Sequence, residues 1–260
     1  MNRLESLFQQ KRNNVLNVYC TAGFPHLDST IEVMDALQKH GADIIELGMP
    51  YSDPIADGPV IQHSNAIALE NGISITKLFE QLRGFRQKIF SPVILMGYMN
   101  PVLQYGFEKF CKNAADVAID GLIIPDLPAF EFENEYGPMI RKYGLSFIFL
   151  VTPETSEARI RKFDELSTGF LYAVSSSSTT GKDADLSLQE PYFRKLRDMK
   201  LYNPVLVGFG IHDNKSFSQA SQNLNGAIIG SAYIKALEKE GGIEANTKTF
   251  LQAVLTPAST

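Results

Sequence analysis

The 260-residue sequence contains no tryptophan and only two cysteines, Cys20 and Cys111, which lie far apart in the chain. Without CxxC spacing or a cysteine-rich context, these residues argue against a disulfide framework and favour a reducing compartment. No window approaches eighteen consecutive apolar residues, which excludes a membrane span. The first residues, 1–10, also lack the long apolar stretch of a signal peptide. We therefore expect a cytoplasmic protein.

A concentration of positive charge is also missing. The formal net charge is -5, and the lysines and arginines are scattered rather than arranged in a stripe. Because nucleic acids and anionic lipids are recognised by basic patches, we expect neither a nucleic acid nor a membrane as a partner. A chain of this length with 44% hydrophobic residues can bury one sizeable core, so a single domain over 1–260 is predicted.

What the sequence does contain is a regular alternation of short, β-rich apolar runs with longer runs of helical period. This alternation is typical of repeated βα units around a parallel sheet. The predicted strands are 15–20, 43–47, 93–97, 121–124, 146–151, 169–174, 204–208 and 226–229. Eight strands with intervening helices favour an α/β fold of the (β/α)8 type, a TIM barrel, although counting alone leaves an open doubly wound sheet as an alternative.

Several helices have signals of their own. Ser29 to Glu32 has the spacing of a capping box, and Gly41 stands where that helix would end. A second apolar helix face is predicted from the spacing of Ile75, Leu78, Phe79, Leu82, Phe85 and Ile89. Both helices are predicted to be scaffold, and an N-terminal helix at about 1–12 is expected to close the bottom of the barrel.

Glycine turns follow the last two predicted strands, at 208–210 and 230–231. Glycine lets the backbone approach a ligand, and a helix that starts at Ser231 would direct free N–H groups at an anion. Either turn alone would be explained as a tight connection, but the pair occupies the usual phosphate site of TIM barrels. The Ser/Thr/Gly run 175–181 is expected to add donors and to act as a mobile lid, although such runs are more often plain loops.

Two carboxylates lie near the end of the second predicted strand. Glu46 interrupts an apolar strand, and alternation places it on the face opposite Ile45 and Leu47. If that face is the barrel interior, burial would raise its pKa, whereas pairing with a cation against a helix is the structural alternative. Asp57 follows eleven residues later in a loop rich in Pro and Gly, where Asp also forms turns. Such a pair can divide acid and base roles without a metal.

The segment 45–62, IELGMPYSDPIADGPVIQ, closely resembles the signature of tryptophan synthase alpha subunits. Agreement extends along nearly the whole chain, through TAGFP at 21–25, MNP at 99–101, IPDLP at 124–128, TG at 180–181, GFGI at 208–211 and GS at 230–231. The departures are mild, since a serine run precedes Thr180 and the segment 223–225 is compact. Neither touches the two carboxylates.

The resemblance implies a lyase of tryptophan biosynthesis that splits indole-3-glycerol phosphate into indole and glyceraldehyde 3-phosphate. It implies that Glu46 is the catalytic acid and base, and that Asp57 receives the indole N–H. The further substrate-binding residues that it implies are Thr180, which would bond Asp57 from the lid, Gly181, Gly210, Gly230 and Ser231 as the phosphate cradle, and Tyr19, Tyr98, Tyr172 and Phe209 around the indole and glycerol groups.

No metal and no cofactor are expected in this chain. The resemblance implies that pyridoxal phosphate belongs to a separate beta subunit, which receives indole through a tunnel in an alpha2beta2 assembly, and that the segments 53–57 and 100–106 dock it. One alternative is another phosphate-binding barrel, such as a phosphoribosyl isomerase, which shares the terminal glycine turns but lacks the 46–57 segment. A catalytically silent, ligand-binding barrel is a second alternative, against which the carboxylate pair argues.

Overall fold

The structure, a computed structural model, describes residues 2–174, 189–208 and 210–257. Its strands are β1 (Val15–Thr21), β2 (Ile44–Gly48), β3 (Val93–Met96), β4 (Gly121–Ile123), β5 (Ser146–Phe147), β6 (Leu150–Val151), β7 (Leu171–Val174), β8 (Val205–Gly208) and β9 (Gly226–Ile229). Every pair of neighbours is parallel, in the order β5-β4-β3-β2-β1-β9-β8-β7-β6.

The two ends of this strand order join through one chain segment. β5 pairs with β4, and β6 pairs with β7, yet both belong to the predicted strand 146–151. Between them, the Ile148 N–H donates to the Leu122 carbonyl, and the Phe149 carbonyl accepts from Tyr172 N–H, each over 3.0 Å. With β5 and β6 as one strand, the sheet is a closed barrel of eight strands. The open doubly wound alternative is wrong, because the order has no free edge.

The helices surround this barrel. They are α1 (Arg3–Gln10), α2 (Thr30–His40), α3 (Pro59–Glu70), α4 (Ile75–Gln81), α5 (Met99–Tyr105), α6 (Phe107–Asp116), α7 (Ala129–Glu131), α8 (Gly137–Lys142), α9 (Glu157–Leu166), α10 (Glu190–Asp198), α11 (Asn214–Asn223), α12 (Ser231–Leu237) and α13 (Ile243–Leu255). No helix in the described ranges is long and apolar enough to cross a membrane.

Alternation along the strands separates two apolar layers. Residues on one strand face, such as Ile44, Ile94 and Leu206, form a cluster inside the barrel, while the intervening residues pack beneath the helices. Leu4 and Phe8 of α1 belong to the interior cluster, so α1 lies across the end of the barrel where the strands begin.

Two helix predictions need correction. Ser29 makes no capping bond through its side chain, because a 3-10 turn, Leu27–Ser29, precedes α2 and already gives Ser29 a helical backbone. Gly41 does end α2 in the left-handed conformation, with φ 108°.

The apolar face that begins at Ile75 is buried along its length except for the partly buried Ile75 itself, but α4 ends at Gln81. Gly84, with φ 74°, then starts a 3-10 turn, so the prediction of one continuous helix was wrong.

Candidate active site

Glu46 points into the barrel. It lies two residues after Ile44 on β2, on the same strand face, and its neighbour in register on β1 is Tyr19. The side chain is only 1% exposed. No lysine, arginine or histidine of the described ranges forms an ion pair with it, so the alternative of a cation-paired carboxylate against a helix does not hold there.

The surroundings of Glu46 favour its neutral form. Burial away from water raises its pKa from the usual 4.5 to about 8, and the negative charge of Asp57 acts in the same direction. The Asn17 side chain opposes this shift, because its Nδ2 donates a hydrogen bond of 2.6 Å to Glu46 Oε2. At neutral pH, Glu46 therefore holds a proton that it can give to a ligand.

Asp57 lies in the loop between β2 and α3 and is half-buried. The Tyr98 hydroxyl donates to Asp57 Oδ2 over 3.1 Å and accepts from the Ala56 N–H over 3.1 Å, so one tyrosine holds both the carboxylate and its loop. Burial raises the pKa of Asp57 to about 6, while the bond from Tyr98 lowers it. Asp57 is therefore mainly ionised at neutral pH, unlike Glu46.

Two further tyrosines with predicted roles lie close to both carboxylates. Tyr19 on β1 and Tyr172 on β7 are buried, and the charges of both Glu46 and Asp57 contribute to the raised pKa of each phenol after burial itself. Each ring covers a glycine of the neighbouring strand. A Cβ at Gly48 would lie 2.1 Å from the Tyr19 hydroxyl oxygen, and one at Gly208 would lie 2.2 Å from Tyr172 Cε1. Glycine at these two positions leaves the space that the rings occupy.

The predicted phosphate site consists of the turns that follow β8 and β9. Gly210 has φ 76°, a conformation that favours glycine, and α12 begins at Ser231 directly after Gly230. A Cβ at Gly230 would lie 3.6 Å from Tyr19 Cβ, so this turn lies beside a tyrosine that interacts with both carboxylates. Thr180, Gly181 and Phe209 lie outside the described residues, so their contacts stay predictions, as does the lid at 175–181.

Two residues near the carboxylates were not predicted. Asn17 on β1 is the hydrogen-bond donor to Glu46, and its signal was a lone amide in an otherwise apolar strand, two residues before Tyr19. Tyr51 packs its ring 5.4 Å from that of Tyr98, and nothing in the loop pattern distinguished this tyrosine from a turn residue. Within the described part of the chain, no group of three or more His, Cys, Asp or Glu could hold a metal ion.

Fold and site together define a TIM-barrel enzyme with two carboxylates of unlike pKa at the end of the barrel where its strands finish. The model of the tryptophan synthase alpha chain family matches residues 4–257. This chain belongs to that family.

Curated relatives support the assignment over the full length. The chain is 47% identical to the tryptophan synthase alpha chain of Bacteroides thetaiotaomicron, with 92% of this chain and 94% of that one covered. It is also 47% identical to the alpha chain of Christiangramia forsetii, with 98% of each covered. The phosphoribosyl isomerase alternative is not favoured by these similarities.

Solved structures agree in fold. The alpha subunit from Legionella pneumophila superposes with a TM-score of 0.88 at 33% identity, covering 98% of this chain and 97% of that one. The alpha subunit from Pyrococcus furiosus gives 0.86 at 33% identity, covering 95% and 100%. A tryptophan synthase from M. tuberculosis, in an aminoacrylate-bound form, gives 0.84 at 30% identity, covering 98% and 100%. The TIM-barrel prediction and the family prediction are confirmed.

Proposed function

We propose that this chain cleaves indole-3-glycerol phosphate to indole and glyceraldehyde 3-phosphate, with Glu46 moving the protons and Asp57 stabilising charge. The observation that carries the assignment of roles is the difference between the two carboxylates. Burial takes the pKa of Glu46 to about 8 and that of Asp57 to about 6, so at neutral pH one is an acid and the other an anion.

The reaction begins with the protonated Glu46. It gives its proton to indole C3, which becomes tetrahedral, and the indole nitrogen gains positive charge. Asp57, as an anion beside that nitrogen, accepts a hydrogen bond from its N–H and stabilises the cation. The Tyr98 hydroxyl keeps Asp57 in one orientation for this contact.

The bond between C3 and the glycerol chain then breaks. The Glu46 carboxylate takes the proton of the hydroxyl next to that bond, the oxygen becomes the aldehyde of the three-carbon product, and the bond's electron pair returns to the indole ring. Glu46 regains one proton for the one it gave, so the cycle closes without a redox step.

The phosphate anchors the substrate at the exits of β8 and β9. Gly210 and Gly230 let the backbone approach it, and the first residues of α12 have N–H groups without partners inside the helix. Binding energy at this remote group fixes the indole between the two carboxylates. The roles of Thr180, Gly181 and Phe209 remain part of the proposal through the family resemblance alone.

A beta subunit is the proposed partner, with pyridoxal phosphate in that subunit rather than in this one. The segments that follow β2, β3 and β4 each expose a large apolar side chain. These are Ile55, which is 89% exposed, Leu103 at 46% and Phe130 at 76%. Ile55 and Leu103 fall within the segments predicted to dock a partner. Exposed apolar side chains that follow neighbouring strands support a partner surface at the end of the barrel that carries Glu46 and Asp57. The alpha2beta2 stoichiometry and a cytoplasmic location stay predictions.

Matched substitutions test the partner surface. We expect Phe130→Ser to weaken association with a tryptophan synthase beta subunit by about tenfold or more, measured by calorimetry. Phe90 is the control, because it is 70% exposed but precedes β3 at the opposite end of the barrel. Equal weakening by Phe90→Ser would place the interface elsewhere.

The activity itself is tested by indole release from indole-3-glycerol phosphate by the purified chain alone. We expect slow but measurable formation of indole and glyceraldehyde 3-phosphate in equal amounts. A chain that binds glycerol phosphate yet releases no indole would be a silent binding barrel. Turnover of a phosphoribosyl substrate instead would restore the isomerase alternative.

A further inference from the structure

Asn17 has a buried side-chain amide of which only the nitrogen forms a hydrogen bond among the described residues. The residue is 0% exposed on β1, and its Nδ2 donates to Glu46 Oε2 over 2.6 Å. Its Oδ1 is buried and has no hydrogen-bond partner among the described residues. A buried acceptor without a partner is costly and calls for an explanation at a functional site.

The titratable groups around Glu46 supply no positive charge. The titratable residues that interact electrostatically with Glu46 are Asp57 from the following loop, Tyr19 and Cys20 from β1, and Tyr172 from β7. Each is an acid, and none is a cation. The Asn17 amide donates the side-chain hydrogen bond that opposes the rise in the pKa of Glu46.

We propose that Asn17 is a positioning residue for Glu46 and that its amide rotates with the protonation state of this carboxyl. When Glu46 is ionised, Nδ2 donates to the carboxylate, and the bond from Nδ2 to Oε2 in the structure has the arrangement that suits this form. When Glu46 is neutral, rotation of the amide brings Oδ1 to the same place, where it accepts the acid O–H. An amide has both a donor and an acceptor at its end, so one side chain can bind both forms.

This inference rests on the proposed role of Glu46 as the proton carrier. In that role, Glu46 is neutral before it protonates C3, ionised while the bond breaks, and neutral again at the end. A partner that only donates would disfavour the neutral acid, and one that only accepts would disfavour the carboxylate. By holding Oε2 in both states, Asn17 leaves Oε1 directed at the substrate.

The first test is Asn17→Leu, which keeps nearly the same volume and removes both hydrogen-bonding atoms. The bond from Nδ2 to the carboxylate is charge-assisted and therefore stronger than the bond from the neutral acid to Oδ1, so losing both should still raise the pKa of Glu46 by about one unit. We expect the alkaline fall of kcat to move to higher pH by that amount and the plateau kcat to drop about tenfold. KM should stay within about twofold, because Asn17 acts on Glu46 rather than on the substrate.

A second variant separates the donor from the acceptor. Asn17→Asp offers an acceptor and a negative charge but no donor, so it should move the alkaline fall of kcat further than Asn17→Leu does. If both variants keep the parent's pH profile, Asn17 only fills space and the proposal is wrong. Val18→Ala is the control, since Val18 faces the helices from the same strand. It should lower stability without moving the profile.

A measurement independent of turnover keeps this inference apart from the proposed function. The carboxyl carbon of Glu46 can be titrated by 13C NMR in glutamate-labelled protein, with Glu46→Gln identifying the signal. If the chain released no indole but Asn17→Leu still raised the midpoint of Glu46, the function would fail and the coupling of Asn17 to Glu46 would stand. If the parent released indole and the midpoint did not move, this inference alone would fail.

Discussion

Two of the deeply buried carboxylates, Asp120 and Glu46, lie near opposite ends of the barrel strands, and their surroundings differ sharply. Asp120, just before β4, is 3% exposed and forms ion pairs with Arg86 and, over 3.1 Å, with Arg3. The Val93 N–H also donates to it, over 2.8 Å. Glu46, near the end of β2, is 1% exposed. It accepts a hydrogen bond from the Asn17 amide and forms no ion pair with a cation in the described ranges.

The two ends of the barrel therefore use a buried carboxylate in different ways. At the end where strands begin, Arg3 of α1 pairs with Asp120, and Asn2 donates to the Asp120 carbonyl and to Ser146 Oγ, so these contacts tie α1 to the barrel. At the other end, the carboxylate lacks a counter-charge, so its proton can move. In TIM barrels, the second end is where active sites lie.

The largest expected effect belongs to Asp120. Asp120→Asn leaves Arg86 and Arg3 without a buried counter-charge, so we expect the free energy of unfolding to fall by about 3 kcal/mol. Denaturant unfolding measures it, and turnover per folded molecule should stay within about twofold. The exposed Glu157, paired with Arg161, is the control, because Glu157→Gln should cost less than about 1 kcal/mol. Similar losses in the two variants would mean that the buried cluster adds nothing.

Glu46→Gln should show the opposite pattern. The amide keeps the size of the side chain but cannot transfer a proton, so we expect kcat for indole release to fall about 10²-fold or more. Substrate affinity should survive. Near-normal turnover in the purified variant would remove Glu46 from the mechanism.

The same variant should also gain relative stability as pH rises. Between the usual pKa of 4.5 and the folded value of about 8, the folded parent holds a proton that the unfolded chain has released. The parent's unfolding free energy therefore falls across this window, whereas Glu46→Gln has no such loss. We expect the variant to gain on the order of 3 kcal/mol over the parent from pH 5 to pH 8. A constant difference would show that Glu46 ionises freely in the fold.

Gly210 lies at the proposed phosphate site. Gly210→Val places a side chain where the phosphate is proposed to lie, so we expect glycerol phosphate to bind about tenfold or more weakly by calorimetry. Gly144→Val is the matched control, since Gly144 also has a positive φ, 68°, but precedes β5 at the other end. Both variants have the same backbone strain. Equal losses of affinity would assign the effect to folding rather than to the ligand.

Tyr98→Phe should give the smallest effect. Without the hydroxyl, Asp57 loses a donor and the Ala56 N–H loses its acceptor, so the carboxylate is less well held and its pKa rises. We expect kcat to fall about tenfold. Tyr143→Phe is the control, because the Tyr143 hydroxyl also donates to a carboxylate over 3.1 Å, that of the exposed Glu108. If Tyr98→Phe matched this control, Tyr98 would be a packing residue.

Periodicity predicted what depends on local patterns. The strand positions, the left-handed Gly41 and the placement of Glu46 on the strand face opposite Ile45 and Leu47 all follow from alternation or from the φ that glycine allows. The strand 146–151 was predicted as one element, and only the packing of a closed barrel shows that its two halves pair with different neighbours.

The sequence patterns could not predict contacts between segments that are distant in the chain. Asn17 meets Glu46 from a neighbouring strand, and Asp120 gathers Arg3 and Arg86 from segments far apart in the chain. The capping-box spacing at Ser29 was misleading, because the preceding 3-10 turn decides the backbone conformation there. Tertiary context overrides local signals at such positions.

Glu46 is a neutral acid in the folded protein at neutral pH, and one spectroscopic measurement tests this directly. Infrared difference spectra between the parent and Glu46→Gln, recorded across a pH titration, report the carboxylic acid band of this one residue. The structure predicts that the band is present at pH 7 and disappears with a midpoint near 8. A band that is already absent at pH 7, with a midpoint near the usual 4.5, would contradict the account.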